Sequence, residues 1–442
     1  MQIRAAPVAD SFVPHPRHFP VRDRQSHQVA NRVPIALTTR HSVCLPNHHK
    51  AGVQQAQSNH FRHLHPRRNL FLFGAAGCAV CFPDFLINGL FSFLKMRYAQ
   101  ISSVPVIYYC MADLNFLNHI PLTELHTHLG FSVSPTMLWE LAHEQGLRLP
   151  TKDYWEFEKL ITIYDQKNYE EYLQLYDLTE KIQSSPEALF TAIQVAISGA
   201  FRKNNITTLE LRFNPILRNR KGERDLDHII VFTLQGMERA MLKYPVRAGL
   251  ILMMDRRFSH EENAAVIKKA IKYKNRGIVG VDLAGPIDRT NQSRSFKPGD
   301  IADLVEEAKT AGLGVTVHTG EATNVEEMWE VINNLQPQRI GHGIAAIQDE
   351  KLMATLREQN IVLETCPTSN LNTKLVADFD ELRDIYTILK KHDVPFTINT
   401  DGPEMQRISL RGEFAQLLDN HILTKEDILK ANEVASEASF IE

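Results

Sequence analysis

Cysteine is scarce in this chain of 442 residues, and its distribution is uneven. Cys44, Cys78, Cys81 and Cys110 lie in the first 110 residues, and only Cys366 follows. This distribution does not support a disulfide framework and is typical of a reducing compartment, so we expect a cytoplasmic protein. Cys78 and Cys81 form a C-x-x-C pair, but no second pair stands at zinc-finger spacing, and a structural zinc is not expected there.

Excess charge and long apolar runs are also missing. The 49 Lys and Arg residues and 52 Asp and Glu residues give a formal charge of −3, which excludes the basic excess typical of nucleic-acid-binding domains. No Gly-Lys pair occurs, so the P-loop of an enzyme that uses nucleoside triphosphates is absent. The apolar run Leu70–Pro83 is about 14 residues long, short of the roughly 20 that span a bilayer. We therefore predict no nucleic-acid partner and no membrane anchor.

The first 110 residues differ in composition from the rest. They contain 12 Lys and Arg, three Asp and no Glu, whereas residues 111–442 contain 37 Lys and Arg and 49 Asp and Glu. They also show no sustained helical or strand period. We predict that residues 1–110 are an unstructured extension or untranslated upstream sequence, and that residues 111–442 are the catalytic domain.

Short apolar strands alternate with amphipathic helices from residue 121 onward. The strands are too far apart for hairpins and suit β-α crossovers. Eight such units over about 320 residues predict an α/β protein with the TIM (β/α)8 barrel fold. The predicted strands are Leu122–Leu129, Ile206–Phe213, Arg247–Met254, Ile278–Ala284, Gly314–His318, Arg339–Gly341, Ile361–Thr365 and Pro395–Asn399.

An insertion of about 75 residues follows the first predicted strand. At the mouth of the barrel it could form a lid, although aromatic residues at helical spacing, here Trp139, Tyr154, Trp155 and Phe157, more often form a core. The helical period is clearest at Pro186–Lys203, Asp225–Lys243, Glu261–Asn275, Pro298–Ala311, Asn324–Asn334 and Glu350–Gln359.

Ionisable residues gather at the ends of the predicted strands, where a TIM barrel builds its active site. Side chains repeat every two residues along a strand, so both histidines of an H-x-H sequence share one face. Burying several ionisable groups without a partner would be costly, and a divalent cation is the simplest common partner. The groups are His126 and His128 on the first strand, His318 and Glu321 at the fifth, His342 at the sixth and Asp401 at the eighth.

Seven segments, in order along the chain, resemble the adenosine deaminase family of amidohydrolase-like, metal-dependent enzymes. The resemblance runs from Pro121 to the C-terminus and implies a TIM barrel with one Zn²⁺ per chain. The segments are T-E-L-H-T-H-L (123–129), L-E-L-R-F-N-P (209–215), V-D-L-A-G (281–285), H-T-G-E (318–321), R-I-G-H-G (339–343), C-P-T-S-N (366–370) and N-T-D-G-P (399–403).

The resemblance implies a set of metal ligands and an activity. His126, His128, His318 and Asp401 would bind the Zn²⁺ and leave one coordination position for water, the open arrangement of a catalytic zinc. The reaction would be hydrolytic release of ammonia from the 6-amino group of a purine nucleoside or related aminopurine. The expected partners are therefore a small purine substrate and water.

The resemblance also implies the roles of three catalytic residues and one substrate-binding residue. His342 would deprotonate and orient the attacking water, with Asp401 as its second hydrogen-bond partner. Glu321 would protonate the ring nitrogen next to the attacked carbon. Gly285 would offer its backbone to the purine, because the missing side chain permits close approach.

Three positions depart from the family's usual residues. Gly130 stands where an Asp commonly contacts the ribose 5′-hydroxyl, and Gly402 stands where an Asp commonly binds a purine ring nitrogen. Pro286 replaces a further acidic residue. We therefore expect a larger and less negative pocket, and we predict that adenosine is a poorer substrate than a modified or different aminopurine.

Two alternative functions fit the sequence less well. A related hydrolase acting on a non-purine substrate would often hold two metals, bridged by a carboxylated lysine at the end of the fourth strand, and V-D-L-A-G has no lysine. A non-catalytic binding protein on the same scaffold would not need the ligand set together with Glu321 and His342. Cys366 is expected to pack rather than react, and Arg212 and Asn370 to support the site.

The composition break at residue 110 gives a first prediction. A chain that begins at Met111 is expected to be soluble and as active as the full chain, because residues 1–110 lack the pattern of a folded domain. Expression yield and specific activity of the two chains measure this. Aggregation of the shorter chain under conditions where the full chain folds would contradict it.

Overall fold

Eight strands, paired in parallel in chain order, form one sheet. The computed structural model describes residues 112–166, 169–220, 225–286 and 296–442, and the predictions for residues 1–110 lie outside these ranges. Helices separate the strands, so the described part is a TIM (β/α)8 barrel, and the predicted fold is confirmed. The strands are β1 (Leu122–His128), β2 (Ile206–Phe213), β3 (Arg247–Asp255), β4 (Ile278–Ala284), β5 (Gly314–Thr319), β6 (Arg339–His342), β7 (Val362–Thr365) and β8 (Phe396–Ile398).

The α-helices lie between the strands and after the last one. Those of the described ranges are α1 (Pro135–Glu144), α2 (Tyr154–Ile161), α3 (Tyr169–Ile182), α4 (Pro186–Asn204), α5 (Leu226–Met241), α6 (His260–Tyr273), α7 (Ala302–Thr310), α8 (Val325–Leu335), α9 (Glu350–Glu358), α10 (Pro367–Asn372), α11 (Phe379–Lys391), α12 (Leu410–Asp419) and α13 (Lys425–Ala438). Capping residues explain where several of these helices begin. Ser185 caps α4, and Ser259 and Glu262 form a capping box at α6.

The barrel interior is polar, and this determines where chemistry can occur. Along β2, Leu209, Leu211 and Phe213 pack into the apolar core, while the alternate residues Glu210 and Arg212 are fully buried charges. Because side chains alternate in direction along a strand, the apolar set faces the helices and the charged set faces the barrel axis. The polar residues of the other strands therefore meet around one axis.

The barrel closes between β8 and β1 through residues that follow β8. Asp401 donates its N–H to the His126 carbonyl at 3.0 Å, and its own carbonyl accepts the His128 N–H at 2.8 Å. The Oδ1 atom of Asn399 accepts the N–H groups of Leu125 and His126 at 3.0 and 3.2 Å. A side chain thus supplies bonds that a strand backbone would otherwise make, which is why β8 ends one residue before the predicted strand.

The insertion after β1 contains α1, α2 and α3. Phe157 is fully buried in a small separate core, against which Trp139 packs, so the core interpretation holds for these two residues. Trp155 is 67% exposed and belongs to no core. Helix α3 places Tyr169, Tyr172 and Tyr176 in the lining of a pocket at the C-terminal end of the barrel.

The sequence located all eight strands, with shifts of no more than one or two residues at their ends. The predicted helix Pro298–Ala311 is a 3-10 turn, Pro298–Ile301, followed by α7. No helix within the described ranges is long and apolar enough to span a membrane.

The closing bonds of Asn399 give a second prediction. Asn399→Ala would leave two buried N–H groups without acceptors and is expected to lower the free energy of unfolding by about 2–4 kcal/mol. Urea unfolding followed by circular dichroism measures this. Asn334→Ala is the control, because Asn334 is exposed and bonds only to a carbonyl of its own helix; equal losses in the two variants would contradict the prediction.

Candidate active site

Three histidines converge at the C-terminal end of the barrel. His126, His128 and His318 each offer a ring nitrogen within 4.8 Å of the others. Nε2 of His128 lies 3.2 Å from Nε2 of His318. Nε2 of His126 is buried and has no hydrogen-bond partner among the described residues. Ring nitrogens that face one another in this way leave lone pairs for a cation.

Asp401 joins this group. Its Oδ1 atom lies 3.2 Å from Nε2 of His128 and 3.7 Å from Nε2 of His126. The φ angle of Asp401 is +62°, a left-handed conformation that few residues other than glycine adopt and that often marks a functional site. The structure thus brings together the four residues that the sequence predicted as metal ligands.

Two buried carboxylates fix the orientation of two of these histidines. Nδ1 of His126 lies 2.7 Å from Glu364, and Nδ1 of His318 lies 2.9 Å from Asp282. A proton held on each Nδ1 leaves the Nε2 lone pair directed at the other ligands, the arrangement typical of metal-bound histidine. The sequence analysis missed Asp282 and Glu364, although each occupies an inward-facing position of a strand that ends at the site.

Arg212 connects these carboxylates. It donates to Asp282 at 3.0 Å and to Glu364 at 2.8 Å, and all three side chains are fully buried. Burial opposes ionisation of Asp282, but the neighbouring His318 and Arg212 outweigh it and hold its pKa below the usual value. Arg212 therefore supports the site, as the sequence predicted.

The charge states of the converging group suit a divalent cation. Burial lowers the pKa of His126 well below its usual value and that of His128 to about 3, so both rings are neutral. Burial alone would raise the pKa of Asp401, but His128 and His342 lower it below its usual value. Neutral imidazoles with one carboxylate are a donor set that zinc commonly takes.

His342 and Glu321 lie beside this group. The Nδ1–H of His342 can donate to Oδ1 of Asn370 at 3.0 Å, while its Nε2 lies 3.7 Å from Glu321. Burial would lower the pKa of His342, but the carboxylates of Glu321 and Asp401 raise it above the usual value. An imidazole in this setting can hold a proton close to Glu321, and Asn370 keeps the ring in place.

Two hydroxyl groups hold the second oxygen of Asp401. Tyr172 of α3 donates to Oδ2 at 2.9 Å, and Ser369 of α10 donates to it at 2.7 Å. These bonds leave Oδ1 free to face the histidines. The insertion is therefore bonded directly to a predicted metal ligand.

A pocket of about 540 Å³, including its open mouth, leads to these residues. His128, His318, Glu321, His342 and Asp401 are among its lining residues. Tyr169, Tyr172 and Tyr176 of α3 cover it, together with Phe131. The sequence analysis missed the tyrosines, but their spacing of three and four residues places them on one helical face.

Gly285 lies in the wall of this pocket, as the sequence predicted. Its φ angle of +89° and the nearness of Asp255 both require glycine, since an added Cβ would lie 2.5 Å from Asp255 Oδ1. Asp255, at the end of β3, is held in turn by Arg257 at 2.7 Å. The sequence analysis missed this buried carboxylate.

The expected enlargement of the pocket at Gly130 and Gly402 is wrong, because other side chains fill both places. A Cβ at position 402 would lie 2.6 Å from Cβ of Phe131. A Cβ at position 130 would overlap Glu180, which forms a buried ion pair with Arg218. Two carboxylates are missing, but an aromatic ring and an ion pair take their space.

Cys366 is buried, which is consistent with the packing role predicted for it. The Cys366 sulfur lies near ring nitrogens of His126 and His342, and these three buried residues could in principle hold a metal. Burial, however, raises the pKa of its thiol well above the usual value, so the thiolate that metals require is disfavoured. The second group, in which His126 is joined by His128 and His318, is therefore the better donor set for a metal.

Comparison with known proteins agrees with this geometry. The adenosine deaminase family matches residues 121–442. An adenosine deaminase of Vibrio atlanticus is 31% identical over 324 residues, which cover 73% of this chain and 94% of the relative. An adenosine deaminase of Clostridium kluyveri is 32% identical over 328 residues, covering 73% and 90%.

Solved structures show the same fold. The N6-methyl-AMP deaminase of Arabidopsis thaliana superimposes with a TM-score of 0.60 at 25% identity, covering 73% of this chain and 92% of that one. The adenine deaminase of Arthrobacter aurescens superimposes with a TM-score of 0.64 at 20% identity, covering 73% and 94%. Together with the matched family, these findings show that the chain belongs to the adenosine deaminase family, whose members are hydrolases acting on C–N bonds other than peptide bonds, in cyclic amidines.

Proposed function

We propose that this protein is a zinc-dependent hydrolytic deaminase that releases ammonia from the 6-amino group of a purine nucleoside or related aminopurine. The observation that carries the proposal is the convergence of three imidazoles and the Asp401 carboxylate beside Glu321 and His342. Relatives that are 31% and 32% identical over most of their length are adenosine deaminases, which supports a purine substrate.

The donor set fits a zinc ion. The orphaned Nε2 of His126 needs a partner, and nitrogen and carboxylate ligands are those that zinc takes in catalytic sites. His126, His128, His318 and Asp401 would hold it. When bound, zinc would supply a water of lowered pKa, about 7 rather than 15.7, and so a nucleophile at neutral pH.

His342 would receive and hold the proton that the attacking water loses. Asn370 occupies its Nδ1, so Nε2 is the nitrogen that can exchange a proton at the site. The two neighbouring carboxylates, Glu321 and Asp401, raise its pKa, which makes the ring a better base than a buried histidine would otherwise be.

Glu321 would donate a proton to the ring nitrogen beside the attacked carbon. Its side chain is 8% exposed and lies in the pocket wall near His342, so water is largely excluded around it. Protonation of that nitrogen withdraws electrons from the carbon and favours attack. Gly285 would accommodate the far edge of the purine, where its missing side chain permits close approach.

The first test separates metal binding from proton transfer. His126→Ala and Asp401→Ala are expected to lose both zinc and activity, since each removes a ligand. Glu321→Gln is expected to keep about one zinc per chain while activity falls about 10²–10⁴-fold, the usual contribution of a general acid or base. Metal analysis and ammonia release from adenosine measure the two effects. Two tightly bound metals, or an active Glu321→Gln variant, would contradict the mechanism.

The second test concerns Tyr172, a positioning residue that acts through Asp401. Tyr172→Phe removes one of two hydrogen bonds to Oδ2 of Asp401 and is expected to weaken zinc affinity or lower kcat about 10-fold or more, as loss of outer partners of metal ligands usually does. Competition with a chelator and steady-state kinetics measure this. Tyr154→Phe is the control, because that hydroxyl bonds to Thr136 in the insertion; equal effects would contradict a specific role.

A further inference from the structure

Two pocket-lining residues outside the proposed catalytic group carry buried polar atoms that have no partner among the described residues. They are Nδ2 of Asn214 and the hydroxyl of Tyr176. Asn214 is 1% exposed, so an unpaired donor there is costly unless a bound molecule or water accepts from it.

The orientation of the Asn214 amide is fixed by its other end. Its Oδ1 accepts the N–H groups of Ile216 and Leu217 at 2.8 and 3.2 Å. The free end is therefore the amino group, a donor that can rotate away from the pocket only by giving up both bonds. Such an arrangement preorganises one hydrogen bond for a ligand.

The order of the strands around the barrel mouth places these atoms relative to the purine. His342 ends β6, Glu321 follows β5 and Gly285 follows β4. Under the proposed function, Glu321 faces the ring nitrogen beside the attacked carbon and Gly285 faces the far edge of the purine. The next position along a purine edge is N9, which carries the substituent. The next strands along the sheet are β3 and β2, which end at Asp255 and immediately before Asn214.

The charge of the pocket near Asp255 and Arg257 indicates which kind of substituent on N9 can bind there. Asp255 accepts three hydrogen bonds from Arg257, from its backbone N–H, Nε and Nη2, at 2.8, 2.9 and 2.7 Å. The pair is neutral overall, and the described lining contains no other arginine or lysine. Among the described lining residues, a phosphate would meet a carboxylate and no unpaired cation, whereas neutral hydroxyl groups can both donate and accept here.

We propose that Asn214 and Tyr176, beside the Asp255–Arg257 pair, form the subsite that binds the sugar hydroxyls of a nucleoside substrate. This inference rests on the proposed function and names how this chain reads the sugar. Gly130 has no side chain to do so, and the neighbouring Glu180 carboxylate is already paired with Arg218. Asn214 and Tyr176 are thus specificity-determining residues on elements that the metal ligands do not use.

Single-atom changes test the subsite. Tyr176→Phe removes only the hydroxyl, and Asn214→Asp replaces the amino group but keeps the oxygen that binds the following loop. Each is expected to lower kcat/KM for adenosine about 3- to 10-fold, the value of one hydrogen bond, and to lower kcat/KM for 9-methyladenine less, because that compound has no sugar. Because the Tyr176 hydroxyl is unpaired, Tyr176→Phe is not expected to lower the melting temperature. Tyr154→Phe is the matched control.

The outcomes are distinguishable. Equal losses for adenosine and 9-methyladenine would show a structural effect and overturn the subsite alone, as would unchanged kinetics, which would mean that water occupies these atoms. A kcat/KM for 5′-AMP above that for adenosine would overturn the assignment of a neutral sugar. Absence of ammonia release from all three compounds by the wild-type zinc protein would overturn the proposed function, and the subsite with it.

Discussion

The buried guanidinium of Arg212 is the group on which the geometry of the site depends. A single charge inside a barrel would carry a desolvation cost of several kcal/mol, which Asp282 and Glu364 offset by pairing with it. Each carboxylate also accepts a hydrogen bond from a histidine: Asp282 from His318, and Glu364 from His126. The same network that makes the buried charge tolerable therefore also directs the ring nitrogens at one point.

The closure of the barrel and the site share residues, so stability and chemistry are coupled. The backbone of Asp401 pairs with β1, while its side chain faces the histidines. Its remaining oxygen is bonded to Tyr172 of the insertion and to Ser369. A change at any of these contacts moves both the seam of the barrel and a proposed ligand, which is why a rigid strand end suits this chemistry better than a loop.

The departures from the family's usual residues are matched by neighbours far away in the chain. Gly402 lies against Phe131, and Gly130 lies against the Glu180–Arg218 ion pair. A missing carboxylate therefore does not mean an empty space. The sequence shows directly that a carboxylate is missing at a position. Which side chain occupies the space it leaves depends on the tertiary structure.

The sequence by itself determined the barrel, the family and the identity of the converging histidines, because strand spacing and the two-residue period of an H-x-H sequence are properties of the local backbone. Only the tertiary structure decided the partners that orient them: Glu364 lies 238 residues from His126, and Tyr172 lies 229 residues from Asp401. No local period connects such residues. The packing of the insertion over the barrel, which depends on contacts between distant segments, also decided the shape and polarity of the pocket.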